Sequence, residues 1–152
     1  MIDRVFVYGT LLIPAVLQAV TGKISVSTAA TLPGYGRYTL RGRVYPGIVQ
    51  AAHRSVDGLV YHGVNRHCLA LLDAFEGDEY RRIRVMVKAS GGKRISAYTY
   101  VIRPRYSRLL MKQDWGLEEF VKKDLQFGGF DQIFPSAVLK RRIEEELQGL
   151  DK

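Results

Sequence analysis

The chain of 152 residues has one cysteine and no long apolar run. The single cysteine, Cys68, excludes an internal disulfide framework and is typical of a protein from a reducing compartment. No apolar run approaches the roughly 20 residues that a membrane-spanning helix needs. A strand is predicted from residue 4 onward, which leaves too little room for a signal peptide before it. We therefore expect a cytoplasmic protein that does not interact with a membrane.

Acidic residues are also scarce, and they are unevenly distributed. The net charge is +8, and no acidic residue occurs between Arg4 and Val56 or between Tyr80 and Gln113. Basic residues alternate with apolar ones in segments such as 82–85, which is typical of the solvated face of a sheet. No nucleic-acid-binding motif accompanies the charge, so we expect no nucleic-acid partner. A basic nucleic-acid-binding domain is the last of three interpretations of this protein, and it predicts a binding affinity that falls steeply as the salt concentration rises.

Motifs of common catalytic and cofactor sites are missing as well. There is no G-x-S-x-G nucleophile elbow, no P-loop and no dinucleotide fingerprint. The histidines His53, His62 and His67 do not have the spacing of metal ligands, and no cysteine cluster supplements them. Cys68 lies on the apolar side of a predicted helix, which favours a buried and unreactive thiol. We therefore expect no cofactor and no metal.

Strand signals dominate the first two thirds of the chain. The chain has 152 residues, of which 47% are hydrophobic, and this length and composition fit one globular domain with a sizeable core. Strands are predicted over 4–7, 25–32, 56–64, 80–89 and 95–102, with a strand or hairpin over 35–45. Pro33-Gly34 predicts a turn, Tyr45-Pro46-Gly47 a second break, and 90–93 joins the last two strands as a hairpin.

Helical signals are shorter, and they dominate the C-terminal third. Helices are predicted over 14–20, ending at Gly22, and over 66–75, with Asn65 as the N-cap. Helical spacing returns after Asp114, and a charged helix is predicted from Pro135 or Ser136 to about 147. We predict an α+β fold: a small mixed, mostly antiparallel β-barrel of about five to seven strands with flanking helices and a helical C-terminal extension. Residues 1–105 form the barrel domain, and residues 106–152 form the extension, which packs on the same domain.

The loop after the first strand is a candidate binding site. It contains the pentapeptide Val7-Tyr8-Gly9-Thr10-Leu11. A strand that breaks at glycine and restarts as a helix leaves backbone N–H groups without partners, and such groups can hold an anion or a carbonyl oxygen. Glycine and threonine also occur in turns for backbone reasons alone. From these residues, an anion-binding loop and an ordinary turn both stay open.

Four of the five acidic residues between positions 4 and 113 lie in the segment 72–80. They are Asp73, Glu76, Asp78 and Glu79. On a helical wheel Glu76 lies at the margin of the apolar side, on the last turn before Gly77. Partial burial and the negative helix end would both raise the pKa of this carboxyl, which makes it a candidate general acid or base. The alternative is a solvated acidic turn that pairs with Arg81 and Arg82.

Taken together, these segments resemble the gamma-glutamylcyclotransferase-like superfamily, and specifically its AIG2-like branch. The similarity covers roughly residues 3 to 103, and it depends on the order and spacing of several motifs. The matching segments are 5–11, 32–35 with Arg37 and Tyr38, 45–48, 56–61, 72–82 and 97–101. The tail after Asp114 is similar to the helical extension of plant and bacterial members.

The resemblance implies a small mixed barrel flanked by helices and an intramolecular aminolysis. The α-amine of a γ-glutamyl compound attacks its own γ-carbonyl, which forms 5-oxoproline and releases an amine or amino acid. Glu76 would be the general acid/base, and the backbone N–H groups of Gly9, Thr10, Leu11 and Leu12 would bind the α-carboxylate or the developing oxyanion. Because the nucleophile is tethered to its electrophile, the enzyme mainly has to fold the substrate and move protons.

The predicted substrate-binding residues lie in four segments of the chain. They are Tyr8, Gly9, Thr10, Leu11, Leu12, Ile13, Tyr45, Pro46, Gly47, Tyr80 and Tyr100. Each of the tyrosines could instead be a core residue, because aromatic side chains are common at strand centres.

The leading hypothesis is therefore a gamma-glutamylcyclotransferase-like enzyme with a small γ-glutamyl substrate and no cofactor. The alternative is a non-catalytic small-molecule-binding or interaction protein that retains the cavity. The charged C-terminal helix, with basic residues at 140–142 and acidic residues at 144–146, can pack on its own barrel or on a partner. A homodimer is therefore possible.

Overall fold

The computed structural model describes residues 2–121. Within this range, five strands and two longer helices carry the fold. In chain order they are β1 (Ile2–Val7), α1 (Pro14–Thr21), β2 (Ser27–Thr39), β3 (Pro46–Asn65), α2 (Arg66–Glu76), β4 (Tyr80–Ala89) and β5 (Arg94–Ile102). Short 3-10 helices occupy Thr10–Leu12 and Pro104–Leu109, and the short helix α3 spans Leu117–Glu119. The predicted charged helix near 135–147 lies outside the described residues.

Local chemistry explains where the two longer helices begin and end. Pro14 occupies the start of α1, where its missing N–H is not needed, and Gly22 ends the helix with a left-handed φ of 76°. The Asn65 side chain accepts the Cys68 N–H at 2.9 Å and so caps α2, and Gly77, with φ 74°, follows its last turn. The sequence-based predictions for these two helices, including both ends of each, are confirmed to within one residue.

The five strands form one mixed sheet in the order β1-β3-β2-β4-β5. Neighbours in this order pair antiparallel, and the longest ladder joins β2 to β3. Strands β1 and β5 also pair with each other, in parallel, through Val5 and Tyr98, so the strand order returns to its start. The predicted α+β class and the mixed, mostly antiparallel sheet are confirmed.

Side chains reinforce the seam between β1 and β5. The Thr99 hydroxyl, which is fully buried, donates to the Phe6 carbonyl at 2.9 Å. The Tyr8 hydroxyl donates to the Tyr100 carbonyl at 2.6 Å. These two bonds cross the seam beyond its parallel backbone pair, and they hold the end of β1 against β5.

Strand β1 is buried on both faces. Its alternating side chains contribute to two apolar clusters, as the period-two geometry of a strand requires. Val5 and Val7 belong to a cluster that includes the helix residues Val16 and Leu72. Phe6 belongs to the second cluster, which is built mainly from sheet residues. The sequence-based prediction of a buried first strand is therefore confirmed.

The turn predicted at Pro33-Gly34 is wrong. Strand β2 continues through Pro33-Gly34, and the pairing skips from Pro33–Ser55 to Tyr35–Gln50, which leaves extra residues on β3. Proline and glycine mark an irregularity in the ladder here instead of a chain reversal, because Pro33 has no N–H to donate to it. The break predicted at Tyr45-Pro46-Gly47 ends where the 20-residue strand β3 begins, at Pro46, and β2 ends at Thr39 instead of continuing to residue 45.

The described part of the C-terminal segment packs against the same core. Leu110 bridges to Leu40, and the Met111 N–H donates to the Thr39 carbonyl at 3.0 Å. Trp115 and Phe120 are buried in the helix-facing cluster. The boundary predicted at residue 105 stays a prediction. No helix among residues 2–121 is long and apolar enough to cross a membrane.

Replacing Thr99 by valine should weaken the seam between β1 and β5. Valine has nearly the same shape but cannot donate to the Phe6 carbonyl, so Thr99→Val should lower the free energy of unfolding by about 1–2 kcal/mol. Urea unfolding monitored by tryptophan fluorescence measures this. Thr31→Val is the matched control. It removes an exposed hydrogen bond from Thr31 in β2 to Asp57 in β3 and should change the free energy of unfolding by less than about 0.5 kcal/mol. Equal effects of both substitutions would contradict this account of the seam.

Candidate active site

A cavity of about 80 Å³ opens at the end of β1. At about 10–15 Å³ for each water molecule, it has room for roughly five to eight waters, which is the scale of a small polar head group. Its lining is contributed by β1 and the following loop, the start of β3, the end of α2, β4 and β5. The lining residues are Phe6, Val7, Tyr8, Gly9, Thr10, Leu11, Tyr45, Pro46, Phe75, Glu76, Tyr80 and Tyr100.

Residues 9–11 of the loop after β1 form one part of the cavity lining. The Leu12 N–H donates to the Gly9 carbonyl at 2.9 Å, which closes the short 3-10 turn. The Leu12 amide is therefore engaged, although the sequence predicts that it binds substrate. The amides of Gly9, Thr10 and Leu11 have no protein acceptor among residues 2–121. Unpaired N–H groups of this kind can hold a carboxylate or a carbonyl oxygen.

Gly9 is required by a close approach of two segments. A Cβ atom at this position would lie 2.9 Å from Cδ and Cγ of Pro46, which is closer than real side chains pack. The Pro46 carbonyl in turn accepts the Tyr80 hydroxyl at 2.5 Å. The loop, the start of β3 and the start of β4 are thus fixed against one another at the cavity.

Arg37 forms a hydrogen bond to the loop, and the sequence alone does not predict this role. Its guanidinium donates to the Tyr8 carbonyl at 2.9 Å, pairs with Asp114 at 3.2 Å and lies over the Trp115 ring. Arg37 thereby connects the loop to the C-terminal segment. The resemblance included Arg37 as a matching residue, but no local signal marks a contact between residues 77 positions apart in the chain.

Glu76 is the acidic residue of the cavity. It occupies the last turn of α2 and lines the cavity beside Phe75. Among residues 2–121, no side chain or amide forms a hydrogen bond or ion pair with its carboxyl group. Burial, and secondarily the negative charge of Asp73, raises the pKa of Glu76 to about 8. A carboxyl group with a pKa near neutrality can both accept and return a proton.

Two neighbouring acidic residues, Asp73 and Glu79, have basic and tyrosine partners. Asp73 pairs with Arg82 at 3.1 Å and accepts the Tyr100 hydroxyl at 2.7 Å. Glu79 pairs with Arg43 at 3.1 Å and accepts the Tyr45 hydroxyl. The alternative of an acidic turn that pairs with Arg81 and Arg82 holds for Asp73, which pairs with Arg82, but neither arginine pairs with Glu76 among residues 2–121.

The structure brings most of the predicted site residues together. Those that line the cavity are Tyr8, Gly9, Thr10, Leu11, Tyr45, Pro46, Glu76, Tyr80 and Tyr100. Three predicted residues lie elsewhere. Ile13 is buried in the helix-facing core cluster, and Leu12 packs against that cluster. Gly47 packs closely against Ile102, since a Cβ atom would lie 2.2 Å from its Cγ1.

Three apolar lining residues were not predicted. They are Phe6, Val7 and Phe75. Each directly precedes a predicted site residue or another lining residue, but an apolar side chain beside a motif has no signal of its own. The histidines and Cys68 also lie apart: within residues 2–121, no group of three or more histidine, cysteine, aspartate or glutamate side chains could hold a metal ion. Cys68 is buried in α2, as expected.

Comparison with known proteins identifies the family. Residues 5–117 match the family described as gamma-glutamyl cyclotransferase, AIG2-like. The chain belongs to this family. It is 35% identical over 128 residues to AIG2-like protein D of Arabidopsis thaliana, a match that covers 83% of this chain and 82% of the relative. The names of such plant relatives state no activity.

Solved structures show the same fold as this AIG2-like protein. A solution structure from Arabidopsis thaliana has a TM-score of 0.67 at 32% identity, and the match covers 88% of each chain. A structure titled gamma-glutamyl cyclotransferase has a TM-score of 0.63 at 16% identity, and covers 95% of this chain and 87% of that one. The second likeness shows the fold alone. The family match contains the loop, Glu76 and all four tyrosines of the cavity.

The raised pKa of Glu76 predicts a pH-dependent cost to the stability of this AIG2-like protein. In the unfolded chain a glutamate has a pKa near 4.3, whereas in the fold the pKa of Glu76 is about 8. Between these values the folded protein retains a proton that the unfolded chain releases, so stability falls as the pH rises.

Glu76→Gln should therefore be as stable as the wild type near pH 4 and progressively more stable up to about pH 8, by a few kcal/mol. Urea unfolding at a series of pH values measures the difference. Asp78→Asn is the control, because Asp78 is an exposed acid in the same segment. A difference between Glu76→Gln and the wild type that does not change with pH would contradict the raised pKa of Glu76.

Proposed function

We propose that this AIG2-like protein is a gamma-glutamylcyclotransferase-type enzyme that converts a γ-glutamyl amine or peptide to 5-oxoproline and a free amine. The observation that carries the proposal is one cavity that contains both an unpaired carboxyl group, Glu76, and the free amides of Gly9, Thr10 and Leu11. The family membership supports it. So does the size of the cavity, which is on the scale of a small polar head group.

In this proposal the loop holds the anionic end of the substrate. The amides of Gly9, Thr10 and Leu11 have no acceptor among residues 2–121, and a bound carboxylate would satisfy them without a basic side chain. The close contact between Gly9 and Pro46 and the Arg37 bond to the Tyr8 carbonyl keep the loop in place before substrate arrives. A preformed site of this kind lowers the entropic cost of bending the γ-glutamyl chain into a ring.

Glu76 then moves the protons. A substrate α-ammonium cannot attack, so the Glu76 carboxylate first takes a proton from it. The α-nitrogen attacks the γ-carbonyl carbon, a C–N bond forms, and the carbonyl oxygen becomes an oxyanion. Protonated Glu76 gives this proton to the leaving nitrogen, the oxyanion re-forms the carbonyl, and the original amide C–N bond breaks. Glu76 then takes the second proton from the positively charged ring nitrogen and passes it to the released amine. Over the whole reaction two protons leave the α-nitrogen and two reach the leaving amine, so no oxidant, reductant or co-reactant is needed.

The environment of Glu76 suits both directions of proton transfer. Its pKa of about 8 lies close to that of an α-amine, so neither transfer is strongly uphill. Burial and the charge of Asp73 keep the pKa high in the empty site, and the positive α-ammonium would favour the ionised carboxylate on binding. We also propose that the closed sheet is a barrel that carries this site. We further propose that the protein acts in the cytoplasm, where its free Cys68 stays reduced.

The wild-type protein should release 5-oxoproline from at least one compound in a panel of γ-glutamyl amines, γ-glutamyl amino acids and γ-glutamyl peptides. Glu76→Gln should lower kcat by about 100-fold or more, because glutamine cannot carry the proton. Chromatographic measurement of 5-oxoproline tests both. Asp78→Asn should keep the full rate.

Two results would contradict the proposal: no 5-oxoproline from any compound in the panel, or a full rate with Glu76→Gln. Binding of a γ-glutamyl compound or of 5-oxoproline without turnover would instead favour the non-catalytic binding protein. The urea unfolding of Glu76→Gln measures whether this variant is folded at the pH of the activity assay, which separates a loss of catalysis from unfolding.

The pH dependence of kcat/KM should reflect the charge of Asp73. In the wild type, the acid limb should have its midpoint near pH 8, where the free enzyme loses the proton of Glu76. Asp73→Asn removes the like charge that helps to raise this pKa, so the midpoint should move to lower pH. Initial rates at low substrate concentration between pH 5 and 10 measure the shift. Asp78→Asn should not move it, and an unmoved midpoint in Asp73→Asn would contradict the electrostatic coupling.

A further inference from the structure

One side chain, Arg37, connects the C-terminal segment to the loop of the cavity. Its Nε donates to a carboxylate oxygen of Asp114 at 3.2 Å, and its Nη1 donates to the Tyr8 carbonyl at 2.9 Å. The guanidinium carbon also lies 5.7 Å from the centre of the Trp115 ring. Of these three partners of Arg37, only Tyr8 lines the cavity.

The position of Trp115 is itself fixed by three contacts. Its indole N–H donates to the Val44 carbonyl at 2.7 Å, and its buried ring lies 5.5 Å from the ring of Phe120. Its backbone N–H donates, at 2.7 Å, to the same Asp114 oxygen that accepts Arg37. A planar guanidinium that contacts a ring and a carboxylate loses much of its rotational freedom. Asp114 and Trp115 therefore hold Arg37 in the orientation that reaches the loop.

The bond from Arg37 acts on one peptide group of the loop. The Tyr8 carbonyl and the Gly9 N–H belong to the same trans peptide, so they point in roughly opposite directions. The carbonyl accepts Arg37, whereas the N–H has no acceptor among residues 2–121. A peptide group whose carbonyl accepts a hydrogen bond from a cation is polarised, which makes its N–H a stronger donor.

The same bond opposes rotation of this peptide group. Glycine on one side of a peptide lowers the steric barrier to turning it over. A turned peptide would exchange the directions of the Tyr8 carbonyl and the Gly9 N–H, and a carbonyl oxygen repels a carboxylate. To turn over, the peptide would have to break its hydrogen bond to Arg37.

We propose that Arg37 and Asp114 are positioning residues that raise the affinity of the loop for a carboxylate, with Asp114 acting through Arg37. The proposal rests on the anion-binding role of the loop in the proposed function, and it makes the C-terminal segment a part of the site. Neither side chain lines the cavity. Both therefore act through the peptide group that joins Tyr8 to Gly9.

Two ligands, 5-oxoproline and its carboxamide, isolate the binding of the carboxylate. They share the lactam ring, and they differ in a carboxylate against a neutral amide. Isothermal titration calorimetry at about pH 6, where Glu76 keeps its proton, measures the ratio of their dissociation constants. The wild type should bind 5-oxoproline at least about tenfold more tightly, because charge-assisted hydrogen bonds are stronger than neutral ones. This comparison needs no variant.

Arg37→Met should lower this preference by about tenfold, because the loop loses both the polarised donor and the bond that orients it. A merely structural role would weaken both ligands alike. Arg41→Met is the matched control: it removes one exposed positive charge close by in the chain and should keep the wild-type ratio. Thermal unfolding of each variant verifies that it is folded.

Asp114→Asn tests the sign of the effect. If Asp114 acted on the ligand through its charge alone, removing that charge would strengthen the binding of a carboxylate. Positioning predicts the opposite: the preference for 5-oxoproline should fall by about twofold to fivefold, the scale of one exposed ion pair. In the Arg37→Met background the same substitution should not lower the preference further, because the two residues act in series.

The outcomes separate this inference from the proposed function. If the protein releases 5-oxoproline but the wild type has no preference, Arg37→Met keeps the ratio, or Asp114→Asn keeps or raises it, the positioning role is overturned and the proposed function stands. If the wild type has no preference and turns over no γ-glutamyl compound, both fail. A lowered ratio in both variants supports the positioning role, and without turnover of any compound it overturns only the proposed reaction.

Discussion

Strand β1 is the element on which the rest of the structure depends. It pairs with β3 on one side and with β5 on the other, and its side chains enter both apolar clusters. A six-residue strand in this position cannot shift by one residue without moving every side chain into the wrong cluster. Its C-terminal end is therefore fixed, and so is the loop that follows it. The bonds of Thr99 and Tyr8 across the seam add to this constraint.

The cavity concentrates polar groups that a stable interior would normally neutralise. Asp73 and Glu79 each have an arginine and a tyrosine as partners, but Glu76 has neither. A half-buried carboxyl group whose pKa is raised costs stability once it ionises, and a fold keeps such a group only when the rest of the structure compensates for it. The imbalance among three acids within seven residues is what distinguishes a proposed proton carrier from an acidic turn.

Local signals were sufficient for part of the fold. Pro14, Gly22 and Asn65 set helix ends through bonds and backbone angles within a few residues, and the β4–β5 hairpin was evident from its strand pattern and its glycine turn. Pro33-Gly34 was misread because the same dipeptide serves a turn and a ladder irregularity. The choice between them depends on β3, whose paired residues lie about 20 positions further along the chain.

The candidate site also consists of residues that the sequence predicts and contacts that it does not predict. The loop and Glu76 could be located from the sequence, because a glycine-broken strand and a carboxyl group at an apolar helix margin are local patterns, and the family resemblance linked them. The role of Arg37 and the hydrogen bonds that the Tyr80 and Tyr100 hydroxyl groups donate could not be predicted from the sequence, because their partners come from distant segments.

By itself, the sequence determined the scarcity of acids and the crowding of four of them in one short segment. Only the tertiary structure decided which of those acids lies unpaired in a cavity. That outcome depends on arginines from other strands: Arg43 neutralises Glu79 and Arg82 neutralises Asp73. The physical reason is that an ion pair requires two charged groups within about 4 Å. Sequence spacing sets that distance within a helix but not between strands.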